Sequence, residues 1–460
     1  MSEAPLIPRA TPPRFLYWLT LALIFVTPGQ LAHAVDPKHG PFIALADVLA
    51  LIVGGLFALW VLFGRMPAGG PAGLRGRLGR VAWAPLPLWA WIIVAVLSAL
   101  SAQSAKAAGL EIIQLVLYFG LVYMLFANVL VTERQWRQAI RTLLAATTLA
   151  VLLALYQYLL QMGQSPGDLQ AVKSLFQSRT AYSGFLTLVL PLAFGVVLWS
   201  ELTWERAWCV LLVTLGGLTI LAPPLVWVLA IVCVVMGTVW NHRRLSLKVT
   251  VAVAAFMLVT VMLVPLNQRA FHETLNPYEE GPIYKVMQTE GEGVDEAPPG
   301  PVIKKRWIEW LPALNMLAEN FVLGVGAGNY QLNIGQPEYY GFLPNVKKSE
   351  PDTNNLYLVT AGSMGLAGLL CLIAFLGHFW RLAGNLWMHA DTPFGRALAC
   401  GLYGACLSLL MVGLFTSVFV RGSALAWALV FALITSMTHE HGTRARAASA
   451  TASLPRAPES

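Results

Sequence analysis

Arginine grips phosphate through a planar fork of donors, and lysine adds a point charge beside it. Arg179 stands in Leu175-Phe176-Gln177-Ser178-Arg179-Thr180-Ala181-Tyr182, where a long apolar run begins. Arg306 follows Lys304 and Lys305 at the start of a helical pattern. Cations at the edge of lipid are costly and need a reason to be there. Two or three of them on one membrane face can hold a diphosphate; either arginine alone reads equally well as a side chain snorkelling to the headgroups. A second cluster, Asp352-Thr353-Asn354-Asn355-Leu356-Tyr357-Leu358, leads into Gly362, Gly365 and Gly368. It lies at the mouth of an apolar run, where a hydrophilic reaction can meet a lipid-borne substrate. Capping of that run is the plainer reading, and the small residues after it allow close helix contact. Between the two lies Gly324-Val325-Gly326-Ala327-Gly328-Asn329-Tyr330. No βαβ unit surrounds it, so a dinucleotide site fits poorly. A tight turn, where backbone comes close to something else, fits better.

The elements that must position these residues are membrane helices. The chain of 460 residues is 57% hydrophobic and only 12% charged, with a mean hydropathy of +0.64. A soluble domain is about 25% charged, so this surface must use lipid as its solvent. Apolar runs of spanning length fall at 15–33, 42–63, 82–102, 108–130, 139–160, 180–199, 207–221, 224–240, 248–266, 355–380, 396–419 and 422–438. The expected fold class is therefore an all-α polytopic membrane protein of about twelve transmembrane helices. Residues 1–266 carry the first nine, 267–354 form one large periplasmic loop, 355–438 carry the last three, and 439–460 form a disordered cytoplasmic tail. The first run ends at Ala32-His33-Ala34, which resembles a signal-peptide cleavage site, but an uncleaved first helix is the preferred reading.

Orientation follows from the basic residues. Arg75, Arg77, Arg80, Arg134, Arg137, Arg141, Arg243 and Arg244 crowd the segments on one side. The short segments on the other hold only Lys38, Lys106, Lys173, Arg179 and Arg421. Positive charge stays inside, so both termini are expected in the cytoplasm and the long loop outside. The net charge of +7 sets topology on this reading, and no nucleic acid is expected as a partner. Cys209, Cys233, Cys371, Cys400 and Cys406 all fall in apolar runs, with no zinc spacing among them.

The loop is acidic and turn-rich from Glu279 to Pro299. Its second half places Trp307, Trp310, Leu311, Leu314 and Leu317 near helical spacing, which predicts an amphipathic helix along the membrane surface.

Together these pieces resemble the O-antigen ligase and O-antigen polymerase family of membrane glycosyltransferases. Arg306-Trp307 through Ala313-Leu314-Asn315-Met316 to Gly324–Tyr330 is similar to the family's loop signature. Asp352–Leu358 with its glycines is similar to the His-Asn-x-Tyr-Leu signature, and Leu175-Phe176 through Leu190-Pro191-Leu192 to a third pattern. The resemblance implies a bacterial inner-membrane enzyme that takes a glycan from undecaprenyl diphosphate at the periplasmic face. The acceptor is a sugar hydroxyl on lipid A core or on a second lipid-linked glycan. It implies no cofactor and no metal, and the loop contains no Asp-x-Asp pair. Arg179, Arg306, Lys304 and Lys305 would then bind the diphosphate. Asn355 and Tyr357 would orient the acceptor, and the catalytic set would be Asn354, Asp352 and Glu350.

Two departures bear on that role. The family's usual histidine is Asn354 here, an amide with no titrating nitrogen. Asp352, Glu350 and His272 are the outward groups that could take the proton instead. Where the family often carries a Ser-Arg pair, this chain reads Pro223-Pro224-Leu225-Val226-Trp227. Two other functions stay open: a non-catalytic subunit that binds lipid-linked glycan, and a glycolipid flippase. The flippase requires polar residues along the spans, and Asp47 and Glu111 are the charges nearest to that pattern, both close to span ends.

Overall fold

The computed structural model describes residues 12–29, 32–34, 42–63, 81–161, 172–176, 179–220, 223–239, 302–334, 339, 355–416 and 423–452. The ninth expected span, the acidic half of the loop with His272, and Glu350, Asp352 and Asn354 lie outside them. Helices stand at every other expected span. They are α1 (Arg14–Val26), α2 (Leu45–Phe63), α3 (Leu86–Ser98), α4 (Ala105–Val129), α5 (Glu133–Gln161), α6 (Arg179–Trp199), α7 (Thr203–Thr219) and α8 (Pro223–Val239). The loop contributes α9 (Val302–Glu319) and the short α10 (Tyr330–Asn333), followed by α11 (Leu356–His389), α12 (Pro393–Val412) and α13 (Ala424–Ala452). A small antiparallel pair, β1 (Ala32–Ala34) and β2 (Phe42–Ala44), joins α1 to α2.

Among the described residues six helices are long and apolar enough to cross a membrane: α2, α4, α5, α6, α11 and α12. The chain is thus a helical membrane protein. Its last helix runs on to Ala452, so residues 439–452 are helical where a disordered tail is expected. Ala445, Ala447, Ala448 and Ala450 are strong helix formers and sustain it past Gly442.

Aromatic packing holds the centre. Trp91 of α3 stacks on Phe375 of α11 at 5.6 Å, and Phe379 and Phe431 approach to 4.4 Å across α11 and α13. Between α6 and α12 the contact is closer, because small residues let backbones meet. A Cβ on Gly195 would lie 2.4 Å from the Ala397 carbonyl oxygen, and one on Gly401 would lie 2.8 Å from Leu192 Cα. Pro191 inside α6 has no N–H, so the Thr187 carbonyl loses its helical partner. The Ser408 hydroxyl of α12 donates to that carbonyl at 2.6 Å, which satisfies it where no water is available.

Candidate functional site

The described part of the loop is built around a break in α11. Gly365 has φ 67° and ψ −168°, which interrupts the helix after two and a half turns. A break frees carbonyls on one side and N–H groups on the other, and in a membrane each must find a partner. The loop supplies all four of those recorded here. Val325 N–H donates to Gly362 O at 3.0 Å and Gly326 N–H to Ser363 O at 2.9 Å. Leu366 N–H donates to Phe321 O at 2.8 Å and Ala367 N–H to Val322 O at 3.3 Å.

Glycine makes this approach possible. Gly324, Gly326 and Gly328 have φ of +68°, +102° and +68°, a region that costs other residues strain. Each sits against backbone: Gly324 on Gly362–Gly365, Gly326 on Ala102, and Gly328 on Ala107. The tight turn expected from sequence is therefore a staple between the broken helix and the α3–α4 corner. Three serines complete it. The Ser98 hydroxyl accepts from Ala327 N–H at 3.0 Å, and Ser101 donates to Gly324 O at 2.9 Å. Asn329, fully buried, accepts from Ser104 N–H at 2.7 Å and donates to Ser104 O at 3.2 Å and Ala327 O at 3.0 Å. The Ser98-x-x-Ser101-x-x-Ser104 spacing was the signal for this anchor, and sequence reasoning passed over it. Asn329→Ala removes three hydrogen bonds and leaves the half-buried Ser104 N–H without its partner. A loss of about 2 kcal/mol is expected, read as a lower melting temperature of the detergent-solubilised protein. An unchanged melting curve would mean that the turn is held by packing alone.

The loop helix packs on the rest of the protein through residues other than its leucines. Leu311, Leu314 and Leu317 are half-buried, and Ala313 and Met316 are fully buried. They form a small core with Val325, Tyr330, Ile334 and Tyr339, against Leu358 and Val359 of α11. The reason is the bare surface of Gly362, which brings Ala313 Cα within 3.6 Å of its Cβ position. Small residues thus draw α9 onto the first half of α11. The two run side by side in one direction, with Ala313 beside Gly362 and Phe321 beside Leu366. Lys304, Lys305 and Arg306 lie in the first turns of α9, towards the end where α11 begins.

Asn355 and Tyr357 are engaged at that same end. Asn355 is the N-cap of α11: its side chain accepts from Tyr357 N–H at 3.0 Å and Leu358 N–H at 3.1 Å, and donates to Leu414 O at 3.3 Å. The Tyr357 hydroxyl donates to Leu410 O at 2.8 Å, and Leu356 N–H to Gly413 O at 2.8 Å. These bonds pin the start of α11 to the end of α12, and so fix the backbone directly after Asn354.

Arg179 reaches this end by another route. It is the first residue of α6 and half-buried. The turn before it is held by Gln157, whose side-chain oxygen accepts from Ser174 N–H at 2.7 Å, and by Phe176, which packs on Phe185 at 5.1 Å. Since α6 and α12 are antiparallel with Thr187 beside Ser408, Arg179 lies about 12 Å beyond Thr187, on the side of Gly413 and Leu414. The register therefore brings the start of α6, the start of α9 and the start of α11 to one end of the bundle. Among the described residues no group of three His, Cys, Asp or Glu side chains stands close enough to hold a metal ion.

Residues 224–373, from α8 through the loop to the first half of α11, match the family model described as O-antigen ligase. This supports an O-antigen ligase- or polymerase-like family. No curated protein matches the chain.

Proposed function

We propose that this O-antigen ligase-like membrane protein is a glycosyltransferase that moves a glycan from undecaprenyl diphosphate to a sugar hydroxyl at the periplasmic face of the bacterial inner membrane. The observation that carries the reading is the convergence of three helix starts bearing Arg179, Lys304 to Arg306, and Asn355. It joins phosphate-binding residue types to a polar mouth at one end of the bundle.

In the reaction the acceptor hydroxyl attacks the anomeric carbon, a new glycosidic bond forms, and the bond to the phosphate oxygen breaks. Negative charge grows on the departing diphosphate. Arg179 and Arg306, helped by Lys304 and Lys305, stabilise it where water is scarce. The hydroxyl proton passes to Asp352 or Glu350, because Asn354 can orient the acceptor but not take a proton. An oxocarbenium-like transition state depends mainly on the leaving group, so a weak base suffices. Asn355 and Tyr357, already committed to helix contacts, serve the acceptor by holding this backbone in place.

Cells from which the chain is deleted are expected to accumulate glycan on its lipid diphosphate carrier, and re-expression should clear it. If lipid A core loses its glycan, the acceptor is core; if chains only shorten, the acceptor is a second lipid-linked glycan. No accumulation in the deleted cells would contradict the enzymatic reading. Binding of lipid-linked glycan without turnover is the alternative that the Asn354 and Pro223-Pro224 departures favour.

A further inference from the structure

At the end of the bundle away from the loop, α5, α7 and α12 all begin, and a shallow surface cleft opens between them. Arg137 and Arg141 line it. Arg141 is committed: its Nε and Nη2 donate to Glu205 Oε1 at 2.8 and 2.5 Å, while Glu205 Oε2 accepts from Ser200. Arg137 is held differently. Its guanidinium lies 4.4 Å over the Phe394 ring, and its contact to Glu133 is a single one at 3.8 Å. Glu133 also accepts from Thr392. Five donors on a guanidinium about one-third exposed are thus left with one long partner among the described residues. The cleft wall behind is apolar: Ile140, Leu144 and Val196 line it.

Two observations place this cleft at headgroup depth. Trp204 is 53% exposed and stacks on Trp208, and the Arg396 guanidinium lies over Trp199. Tryptophans collect at membrane–water interfaces. From Arg141, α5 continues with Leu152 and Tyr156 on nearly the same side, both half or more exposed, as a track that an acyl chain can follow. A cleft between transmembrane helices with one arginine whose donors are largely unspent, flanked by tryptophans and an apolar track, is chemistry for a phospholipid phosphate.

We infer that this cleft binds the phosphate of an anionic phospholipid, with Arg137 as its principal donor and the acyl chains along α5. The site is remote from the converging helix starts, and it holds whether or not the chain transfers glycan.

The test uses full-length protein in phosphatidylcholine nanodiscs doped with phosphatidylglycerol, and native mass spectrometry of the lipids retained on extraction. Wild type is expected to retain phosphatidylglycerol over phosphatidylcholine. Arg137→Gln should lower that enrichment about five-fold, the worth of one basic group near the surface. Phe394→Leu, which keeps the charge but removes the ring beneath it, should lower it less. Equal retention of both lipids by wild type would overturn the site, as would an Arg137→Gln protein with undiminished enrichment. So would displacement of the lipid by millimolar inorganic phosphate, since the site would then be one for a free anion. Should Arg137→Gln fail to fold, Phe394→Leu decides, and enrichment equal to that of wild type would overturn the site.

Discussion

Arg306→Ala slows glycan transfer by about 10²–10³-fold, the cost of removing one group that stabilises charge developing in a transition state. The protein level and melting temperature stay those of wild type, because the buried pair of α9, Ala313 and Met316, comes two turns or more after Arg306. Arg306→Lys recovers part of the rate: the charge returns but the planar fork does not. Transfer rates in nanodiscs and the amount of folded protein, measured together, separate this from a structural role. Normal glycan output from a normally expressed Arg306→Ala protein would remove Arg306 from the diphosphate site.

The second large effect falls on stability. In Gly324→Ala the new methyl group would lie 2.4 Å from the Ser363 carbonyl carbon, 2.5 Å from Gly362 O and 2.6 Å from Gly365 N, at a φ of +68°. All three are backbone atoms and cannot rotate aside. Relief requires the turn to leave α11, which strands the four groups freed by the break at Gly365. The expected loss is about 4 kcal/mol or more, enough to prevent recovery of folded protein from the membrane. Gly109→Ala is the control: its Cβ meets nothing within 4 Å, and in a helix interior it should be neutral or stabilising by up to about 1 kcal/mol. Gly324→Ala protein that melts with wild type would contradict the staple.

The pattern of what sequence reveals here has a physical cause. Spans are legible because lipid demands long apolar runs, and among the described residues helices appear where the hydropathy places them. The turn at Gly324–Tyr330 is legible because three alternate glycines have few other uses. The break in α11 is not. Gly362-Ser363-Met364-Gly365-Leu366-Ala367-Gly368 reads as a stripe for close packing, and Gly362 does serve that purpose under Tyr330 and Ala313. That the same stripe also unwinds at Gly365 depends on Phe321, Val322, Val325 and Gly326 supplying partners from the loop. Such a non-local condition leaves no local mark. Ser98, Ser101 and Ser104 do leave a mark in their regular spacing, but what that spacing anchors depends on which loop reaches them.

The residue types for a phosphate site were visible, but their convergence was not. Arg179 and Arg306 are far apart in the chain. Only the antiparallel register of α6 on α12, and the parallel run of α9 beside α11, bring their helices to one end. The contact of α9 with α11 leaves little trace in the apolar pattern. Its tryptophans and leucines mark the amphipathic face, whereas Ala313, an undistinguished small residue, faces the glycine that draws the helix onto α11.

The central claim is that this end of the bundle breaks the bond between a glycan and its lipid diphosphate. Release of undecaprenyl diphosphate by the purified protein, in nanodiscs containing the lipid-linked glycan and an acceptor, tests it most directly. One carrier released for each glycan transferred, with both suppressed in Arg306→Ala, is the result predicted. Folded protein that binds the glycan lipid and releases no carrier, with lipid A core or a second lipid-linked glycan as acceptor, would contradict it.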